Sequence, residues 1–103
     1  MITVDTLQQA QEALASIERS FVIFVAKWCP PCRMLNLNLE EFHEQNPEIK
    51  IFKIDALAFK DLALELDATS VPVTFVIDKG CIVKTHKGYL DVEGFADLYY
   101  NKE

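Results

Sequence analysis

The sequence predicts an α/β fold: a mixed five-stranded sheet flanked by four helices, in the order β-α-β-α-β-α-β-β-α. Apolar runs of strand length alternate with segments whose apolar residues recur at helical spacing, a pattern typical of parallel strand pairing. Asp78-Lys79-Gly80 separates two strand-like runs by a tight turn, which adds an antiparallel edge to the sheet. At 103 residues, the chain is expected to form a single domain, 1–103.

The apolar run from Phe21 to Ala26 is the candidate for the central strand. Its residues are mostly β-branched or aromatic, which suits a strand covered on both faces. Lys27 breaks the run, and the segment Trp28-Cys29-Pro30-Pro31-Cys32 follows. Proline lacks an N–H, and its fixed φ suits the first turn of a helix. We therefore expect Cys29 at the mouth of a helix N-terminus and Cys32 one turn into the helix.

The other elements follow from apolar spacing and turn residues. In chain order they are an edge strand at Ile2–Val4, a helix over about residues 7–17 capped by Asp5 or Thr6, a helix from Arg33 to Asn46, a strand over Ile49–Ile54, a helix over Ala58–Leu66, strands over Val73–Ile77 and from Cys81 to about His86, and a last helix capped by Asp91. The helical residues expected to face inward include Leu7, Ala10, Ala13, Leu14, Ile17, Met34, Leu35, Leu39, Phe42, Phe59, Leu62, Leu66, Val92, Phe95, Leu98 and Tyr99.

Composition excludes several classes of function. A net charge of -6 argues against nucleic acid as a partner, because phosphate binding needs clustered Lys and Arg. No apolar run approaches the length of a membrane span, so we expect no membrane association. The N-terminal segment lacks the pattern of a signal peptide, which favours a cytoplasmic location.

The cysteines favour chemistry over structural cross-linking. Three cysteines do not make a disulfide scaffold, and a close pair in a reducing compartment is more often chemical than structural. A zinc site needs about four ligands, whereas Cys81, His43 and His86 are isolated in the sequence. The alternatives left open are inert thiols for the Cys29/Cys32 pair and plain packing for the Trp28 ring.

With these motifs the chain resembles the thioredoxin family over essentially its whole length. The resemblance rests on Trp28-Cys29-Pro30-Pro31-Cys32 after an apolar strand, and on Val71-Pro72 about forty residues later. Asp55 after the third strand, the Lys79-Gly80 hairpin and Gly88 after the fifth strand also match. A CxxC pair alone is a weak signal, but CxxC in this context with the distant Val-Pro is strong.

The resemblance implies a thioredoxin fold and a thiol–disulfide oxidoreductase that reduces protein disulfides. Cys29, favoured as a thiolate by the helix N-terminus, would attack the substrate, and Cys32 would resolve the mixed disulfide. The proline at the position of Pro72 is cis in the family and faces the dithiol. Val71 would offer backbone groups to a substrate segment, and Trp28 and Gly88 would belong to the same surface.

Two departures from the family pattern affect the expected chemistry. Pro30-Pro31 stands where Gly-Pro is usual, so we expect Pro30 to remove an N–H that would otherwise donate toward Cys29. Ile23 stands where the family has a buried aspartate that assists proton transfer at the resolving cysteine. Lys53 occupies the place of that aspartate's lysine neighbour, and we expect it to extend to water. Deprotonation of Cys32 would then rely on water or the substrate.

The resulting hypothesis is a monomeric cytoplasmic reductase of protein disulfides, recharged by a thioredoxin reductase-like electron donor. It binds no cofactor, because the Cys29–Cys32 disulfide is itself the redox group. Trp28, Pro30, Pro31, Lys53 and Pro72 support the active site. The alternative is a thioredoxin-like binding module without turnover, which the loss of the buried acid at Ile23 motivates. A third reading, an oxidant or isomerase, is disfavoured by the missing signal peptide pattern.

Overall fold

The computed structural model describes residues 1–101, and within them the predicted elements occur in the predicted order. The last two residues of the predicted domain 1–103 lie outside the described residues. The elements are β1 (Ile2–Thr3), α1 (Leu7–Leu14), β2 (Ser20–Val25), α2 (Pro30–Gln45), β3 (Lys50–Asp55), α3 (Lys60–Glu65), β4 (Val73–Asp78), β5 (Cys81–Lys87) and α4 (Val92–Tyr100). No helix in this described part is long and apolar enough to cross a membrane.

The sheet is mixed, as predicted, and β2 lies at its centre. The strand order is β1-β3-β2-β4-β5; β2 pairs in parallel with β3 and antiparallel with β4, and β5 adds the antiparallel edge. Successive side chains of β2 point to opposite faces of the sheet. Val22 and Phe24 pack into the core on one face, and Phe21 and Ile23 pack into the core on the other. The uninterrupted apolar run is therefore explained by burial on both faces.

Helices cover both faces of this sheet. Ala10 and Ala13 of α1 and Ala63 of α3 belong to one core, while α2 and α4 supply the other. Phe21 of β2 meets Phe95 of α4 edge-on, with ring centroids 5.6 Å apart. Such an aromatic pair adds about 0.5–1.5 kcal/mol beyond the area it buries. The packing of α4 thus helps to hold the strand that leads into the cysteine motif.

Helix α1 ends three residues earlier than the sequence predicted. Thr6 caps its start in a reciprocal capping box with Gln9, which confirms Thr6 over Asp5 as the cap. The carbonyls of Ser16 and Ile17 accept hydrogen bonds from the backbone of the β4–β5 turn, so this segment cannot continue the helix. Ile17 is 74% exposed, and its predicted place in the core is wrong.

Three other boundary or core assignments differ for local reasons. Helix α3 begins at Lys60 rather than Ala58, because the Asp55 carboxylate accepts from the N–H groups of Leu57 and Ala58 and holds them in a turn. Met34 is 54% exposed, so it does not belong to the inward face of α2. Leu7, likewise predicted to face inward, is exposed at the first position of α1.

The β4–β5 connection is the tight hairpin that the sequence predicted. Lys79 and Gly80 both have positive φ, 53° and 79°, as a type I′ turn requires. The turn lies at the end of β4 away from Pro72. Cys81, which follows the turn, is therefore separated from the cysteine motif by the length of the strand.

A side-chain clasp joins the end of α4 to the start of β2. Arg19 donates from Nε to the Tyr99 carbonyl at 2.9 Å and forms a 3.1 Å ion pair with Asp78. The Tyr99 hydroxyl donates back to the Arg19 carbonyl at 3.1 Å. Burial raises the pKa of Tyr99 above its usual 10.0, and the nearby Arg19 guanidinium offsets part of that rise.

The raised pKa of Tyr99 predicts that the protein loses stability at alkaline pH. The pKa of Tyr99 is higher in the folded state than in the unfolded state. The stabilisation that its protonated hydroxyl gives is therefore complete below the unfolded-state pKa, and it is lost as pH rises through the folded-state pKa. Tyr99→Phe should therefore flatten the decline in unfolding free energy above about pH 10. Urea denaturation across this range measures the slope, with Tyr100→Phe, at an exposed neighbour, as the matched control. Equal slopes in Tyr99→Phe and wild type would contradict this assignment.

Candidate active site

The cysteine motif forms the junction between β2 and α2. Cys29 is the N-cap of α2, with an extended backbone, and its sulfur accepts a hydrogen bond from the Cys32 N–H at 3.2 Å. The Cys29 carbonyl accepts the first bond of the helix, from the Arg33 N–H at 3.1 Å. A sulfur thus occupies the place where a Ser or Asp oxygen usually caps a helix. The predicted position of Cys29 at the helix mouth is confirmed.

The two prolines leave this cap with a single backbone donor. Pro30 and Pro31 are the first two residues of α2, where unpaired N–H groups would otherwise point out of the helix. Cap side chains accept from the N–H of the second or third helical residue, which here are Pro31, without an N–H, and Cys32. The donor missing toward Cys29 is therefore the one at the position of Pro31. Pro30, singled out from the sequence, lies at the first position.

Cys29 and Cys32 are joined as a disulfide, with their Cα atoms 5.1 Å apart. Both are buried: Cys29 is 8% exposed and Cys32 is 4% exposed. Within residues 1–101, no group of three or more His, Cys, Asp and Glu side chains is placed to hold a metal ion. The pair is a redox-active disulfide, and the reading as inert thiols is wrong.

The Val71–Pro72 segment lies against this disulfide. The peptide bond between the two residues is cis, as the resemblance implied. The Cys29 sulfur is 3.7 Å from the Val71 carbonyl oxygen. Gly88 joins the same group because its N–H donates to the Pro72 carbonyl at 2.8 Å. The structure thus brings together Cys29, Val71, Pro72 and Gly88, which are distant in the sequence.

Trp28 stands in solvent next to Cys29. It is 90% exposed, so the alternative that its ring packs in the interior is wrong. Lys27 and Arg33, on either side of the motif, are also exposed. The Trp28 ring therefore adds a large exposed apolar area beside the disulfide.

A cavity of about 390 Å³ opens on the Cys32 side of the motif. Its lining consists of Val25, Ala26, Cys32, Arg33, Asn36, Leu37 and Lys53. The Lys53 Nζ donates to the Asn36 Oδ1 at 2.8 Å, so the half-buried Lys53 has a partner in the cavity that the sequence did not predict. Asn36 was not singled out from the sequence. Asn36 lies four residues after Cys32, so both are on one face of α2. This spacing is the feature of the sequence from which Asn36 could have been predicted as a neighbour of the site.

Ile23 lies in a row of side chains across the sheet. Its partner in β3 is Lys53, and its partner in β4 is Thr74. Ile23 is fully buried, and so is Thr74, whose hydroxyl has no hydrogen-bond partner among the described residues. The place of the expected acid is therefore apolar, with a polar side chain on each side of it.

The remaining sulfur and imidazole groups lie apart from this site. Cys81 is a free, exposed thiol at the start of β5. His86 is 3.0 Å from the Tyr89 carbonyl through its Nε2. His43 is half-buried in the last turn of α2, and its Nδ1 has no hydrogen-bond partner in residues 1–101. None of the three enters the chemistry derived below.

Comparisons with known proteins agree with this arrangement. The thioredoxin family model matches residues 2–99. The chain is 36% identical over 81 residues to thioredoxin-2 of Saccharomyces cerevisiae, covering 75% of this chain and 77% of the relative. It is 34% identical over 76 residues to thioredoxin of Bacillus subtilis, covering 73% of each. The solved structure of Fasciola hepatica thioredoxin superposes with a TM-score of 0.84 at 22% identity, covering 99% of this chain and all of the other, and supports the fold.

The geometry of the cap predicts the effect of restoring the missing donor. Pro31→Ala supplies an N–H at the second helical position, which should stabilise the Cys29 thiolate of the reduced protein. Alkylation by iodoacetamide at pH 6 should then be about four- to twentyfold faster than in the parent, because one hydrogen bond to a charged group contributes about 1.5–3 kcal/mol and the lower nucleophilicity of a more stable thiolate offsets about half of it. The rates are measured with Cys32→Ser and Cys81→Ser present, so that Cys29 is the reacting thiol.

Pro30→Ala is the matched control, because it also removes a rigid ring but supplies its N–H at the first helical position. It should leave the alkylation rate close to that of the parent. Equal acceleration in both variants would show that flexibility of the turn, and not the added donor, governs the reactivity of Cys29.

Proposed function

The chain belongs to the thioredoxin family and is a thiol–disulfide oxidoreductase, and on that premise we propose that it reduces disulfides in other proteins, with Cys29 as nucleophile and Cys32 as resolving thiol. The observation that carries this proposal is the sulfur cap: Cys29 lies at the N-terminus of α2 beside the Val71 carbonyl. We further propose that residues 1–103 act as one domain and one catalytic unit.

The position of Cys29 supports its role as nucleophile. The helix N-terminus carries a partial positive charge, and the Cys32 N–H donates directly to the Cys29 sulfur. Both effects favour the thiolate, which is the attacking species in disulfide exchange. Cys32 lies in the first turn of α2 and lines the cavity, which supports its proposed role as the thiol that attacks Cys29.

The exchange proceeds in two balanced steps. The Cys29 thiolate attacks one sulfur of the substrate disulfide, forms a mixed disulfide and releases the other substrate sulfur as a thiolate. The Cys32 thiolate then attacks the Cys29 sulfur, releases the second substrate thiolate and leaves the Cys29–Cys32 disulfide. Two electrons pass to the substrate, and a thioredoxin reductase-like donor returns two electrons to the protein.

A substrate segment would bind along Val71. A peptide in extended conformation can add to exposed backbone groups as an extra strand, which would bring its disulfide to Cys29. Gly88 belongs to this surface because the space beside its Cα is open: a Cβ placed there would meet no atom within 4 Å. Its φ of 105° is a backbone conformation that favours glycine. Trp28 flanks the same surface with its exposed ring. Pro72 fixes the backbone between Val71 and β4.

The setting of the proposed activity follows from charge and redox chemistry. A reducing, cytoplasmic compartment keeps a cysteine pair available for exchange, and we propose that location. The net charge of -6 supports protein partners over nucleic acid. We propose a monomer, which leaves the surface around Trp28 and Gly88 accessible to substrates of varied shape.

Reduction of insulin disulfides in the presence of dithiothreitol tests the roles of the cysteines. Cys29→Ser should abolish the catalysed rate, because no thiol remains at the helix mouth. Cys32→Ser should retain the first attack and accumulate a mixed disulfide that is visible by mass spectrometry. Cys81→Ser is the matched control, because Cys81 is exposed at the far end of β4, and it should keep the full rate.

Two outcomes would contradict the proposal. Full activity in Cys29→Ser would remove Cys29 from the nucleophile's role. A wild-type protein without turnover, with both thiols free after reduction, would instead favour the binding-module reading.

A further inference from the structure

The cavity beside Cys32 holds cations and an amide in place of an acid. Of its seven lining residues, Arg33 and Lys53 carry positive charge, Asn36 is a neutral amide, and no carboxylate is present. Lys53 is tied to Asn36 by a 2.8 Å hydrogen bond. The same cavity reaches Cys32, whose proton must leave before it can resolve a mixed disulfide.

We propose that Asn36 is a positioning residue for the resolving step: it holds the Lys53 ammonium in the cavity, where the positive charge stabilises the Cys32 thiolate. The inference rests on the proposed function, in that Cys32 is taken as the resolving thiol. It assigns a role to an asparagine that lies outside the cysteine motif.

The cross-strand neighbours of Lys53 offer no charge to its ammonium, because Thr3 in β1 is neutral and Ile23 in β2 is apolar. Its neighbour in β2 is Ile23, which is buried and has no polar side-chain atom. A lysine ammonium has three donors and a flexible stem, so an unpartnered Lys53 would lose entropy by staying in the cavity. The Asn36 Oδ1 supplies an acceptor on the opposite wall, and the bond spans β3 and α2.

The Asn36 side chain is itself held in the required orientation. Its Nδ2 donates to the Glu40 Oε1 at 3.3 Å, one turn further along α2. This contact directs the amide nitrogen toward solvent and the amide oxygen toward Lys53, where only an acceptor can serve. Glu40 is exposed, so its charge is screened by water before it reaches the cavity.

The charged groups around Cys32 favour its thiolate. Arg33 faces the cavity from α2 and Lys53 faces it from β3, while the end of β2 and the residue after it contribute the apolar Val25 and Ala26. An adjoining cavity shares Lys53 and adds Lys27 and Asp55. The Asp55 carboxylate is already engaged by two backbone N–H groups. Cations therefore outnumber anions on the side that Cys32 faces, and opposite charge nearby favours a thiolate.

The ammonium has no free lone pair, so it cannot accept the Cys32 proton. The proton passes to water in the open cavity, and Lys53 lowers the cost of the negative charge left on sulfur. A buried carboxylate would act differently, because it would itself accept the Cys32 proton. The pH dependence of the resolving step is therefore the property that should report on Asn36.

Stopped-flow reaction with 5,5′-dithiobis(2-nitrobenzoate) isolates this step. In a reduced Cys81→Ser protein, Cys29 attacks the reagent, forms a mixed disulfide and releases one nitrothiobenzoate. Cys32 then attacks Cys29, forms the internal disulfide and releases the second nitrothiobenzoate. The first phase depends on reagent concentration and the second does not, so the rate of the second phase as a function of pH is the readout.

Asn36→Ala should move the midpoint of the second phase to higher pH and slow that phase about three- to tenfold at pH 7. The first phase, which belongs to Cys29, should be unchanged. Lys53→Met, which removes the charge but keeps an apolar stem, should have an effect at least as large. Because Asn36 acts through Lys53, the double variant should be no slower than Lys53→Met alone.

Asn38→Ala is the matched control. It removes an amide from the same helix, one that bonds Tyr89 and the Leu90 carbonyl and does not line the cavity. Its second-phase midpoint should equal that of the parent, whatever stability it loses.

Three results would overturn the inference. An unchanged midpoint in Asn36→Ala would remove Asn36 from the resolving step, and an equal midpoint shift in Asn38→Ala would make the effect merely structural. A further shift on adding Asn36→Ala to Lys53→Met would show that Asn36 does not act through Lys53. A parent protein without any concentration-independent phase would instead overturn the proposed role of Cys32, and this inference with it.

Discussion

The hydrogen bond from the Cys32 N–H to the Cys29 sulfur is the interaction on which the site depends. It makes a cysteine the cap of α2, and it orients that sulfur toward the Val71 carbonyl. The two prolines between the cysteines remove the competing N–H groups, so this bond is the cap's one helical donor. A helix that begins in this way holds Cys29 at its mouth, beside Val71, and Cys32 inside its first turn.

The sheet supplies the platform for that cap. Because β3 runs parallel to β2 and β4 runs antiparallel to it, the C-terminal ends of β2 and β3 and the N-terminal end of β4 lie side by side at the same end of the sheet. Cys29 follows β2, and Pro72 precedes β4, so the fold brings them together. Lys53, near the end of β3, faces the cavity beneath α2. Burial of β2 on both faces fixes the position of the strand that leads to Cys29.

Much of this could be predicted from the sequence, because it depends on local rules. The apolar run of β2, the prolines after Cys29 and the Lys79-Gly80 turn each specify their structure within a few residues. The end of α1 could not be predicted, because it depends on hydrogen bonds from the distant β4–β5 turn. The Lys53–Asn36 bond was missed for a similar reason: an asparagine on a helix carries no signal of the lysine across the cavity.

The central claim, that the sulfur cap makes Cys29 the nucleophile, is tested most directly by competition among the three thiols of the reduced protein. Limiting iodoacetamide at pH 6, followed by peptide mapping, measures which cysteine is alkylated first. Cys81 is exposed and both motif cysteines are buried, so reactivity governed by access would favour Cys81. We expect preferential modification of Cys29, because the helix N-terminus and the Cys32 N–H stabilise its thiolate. Faster modification of Cys32 or Cys81 would contradict it.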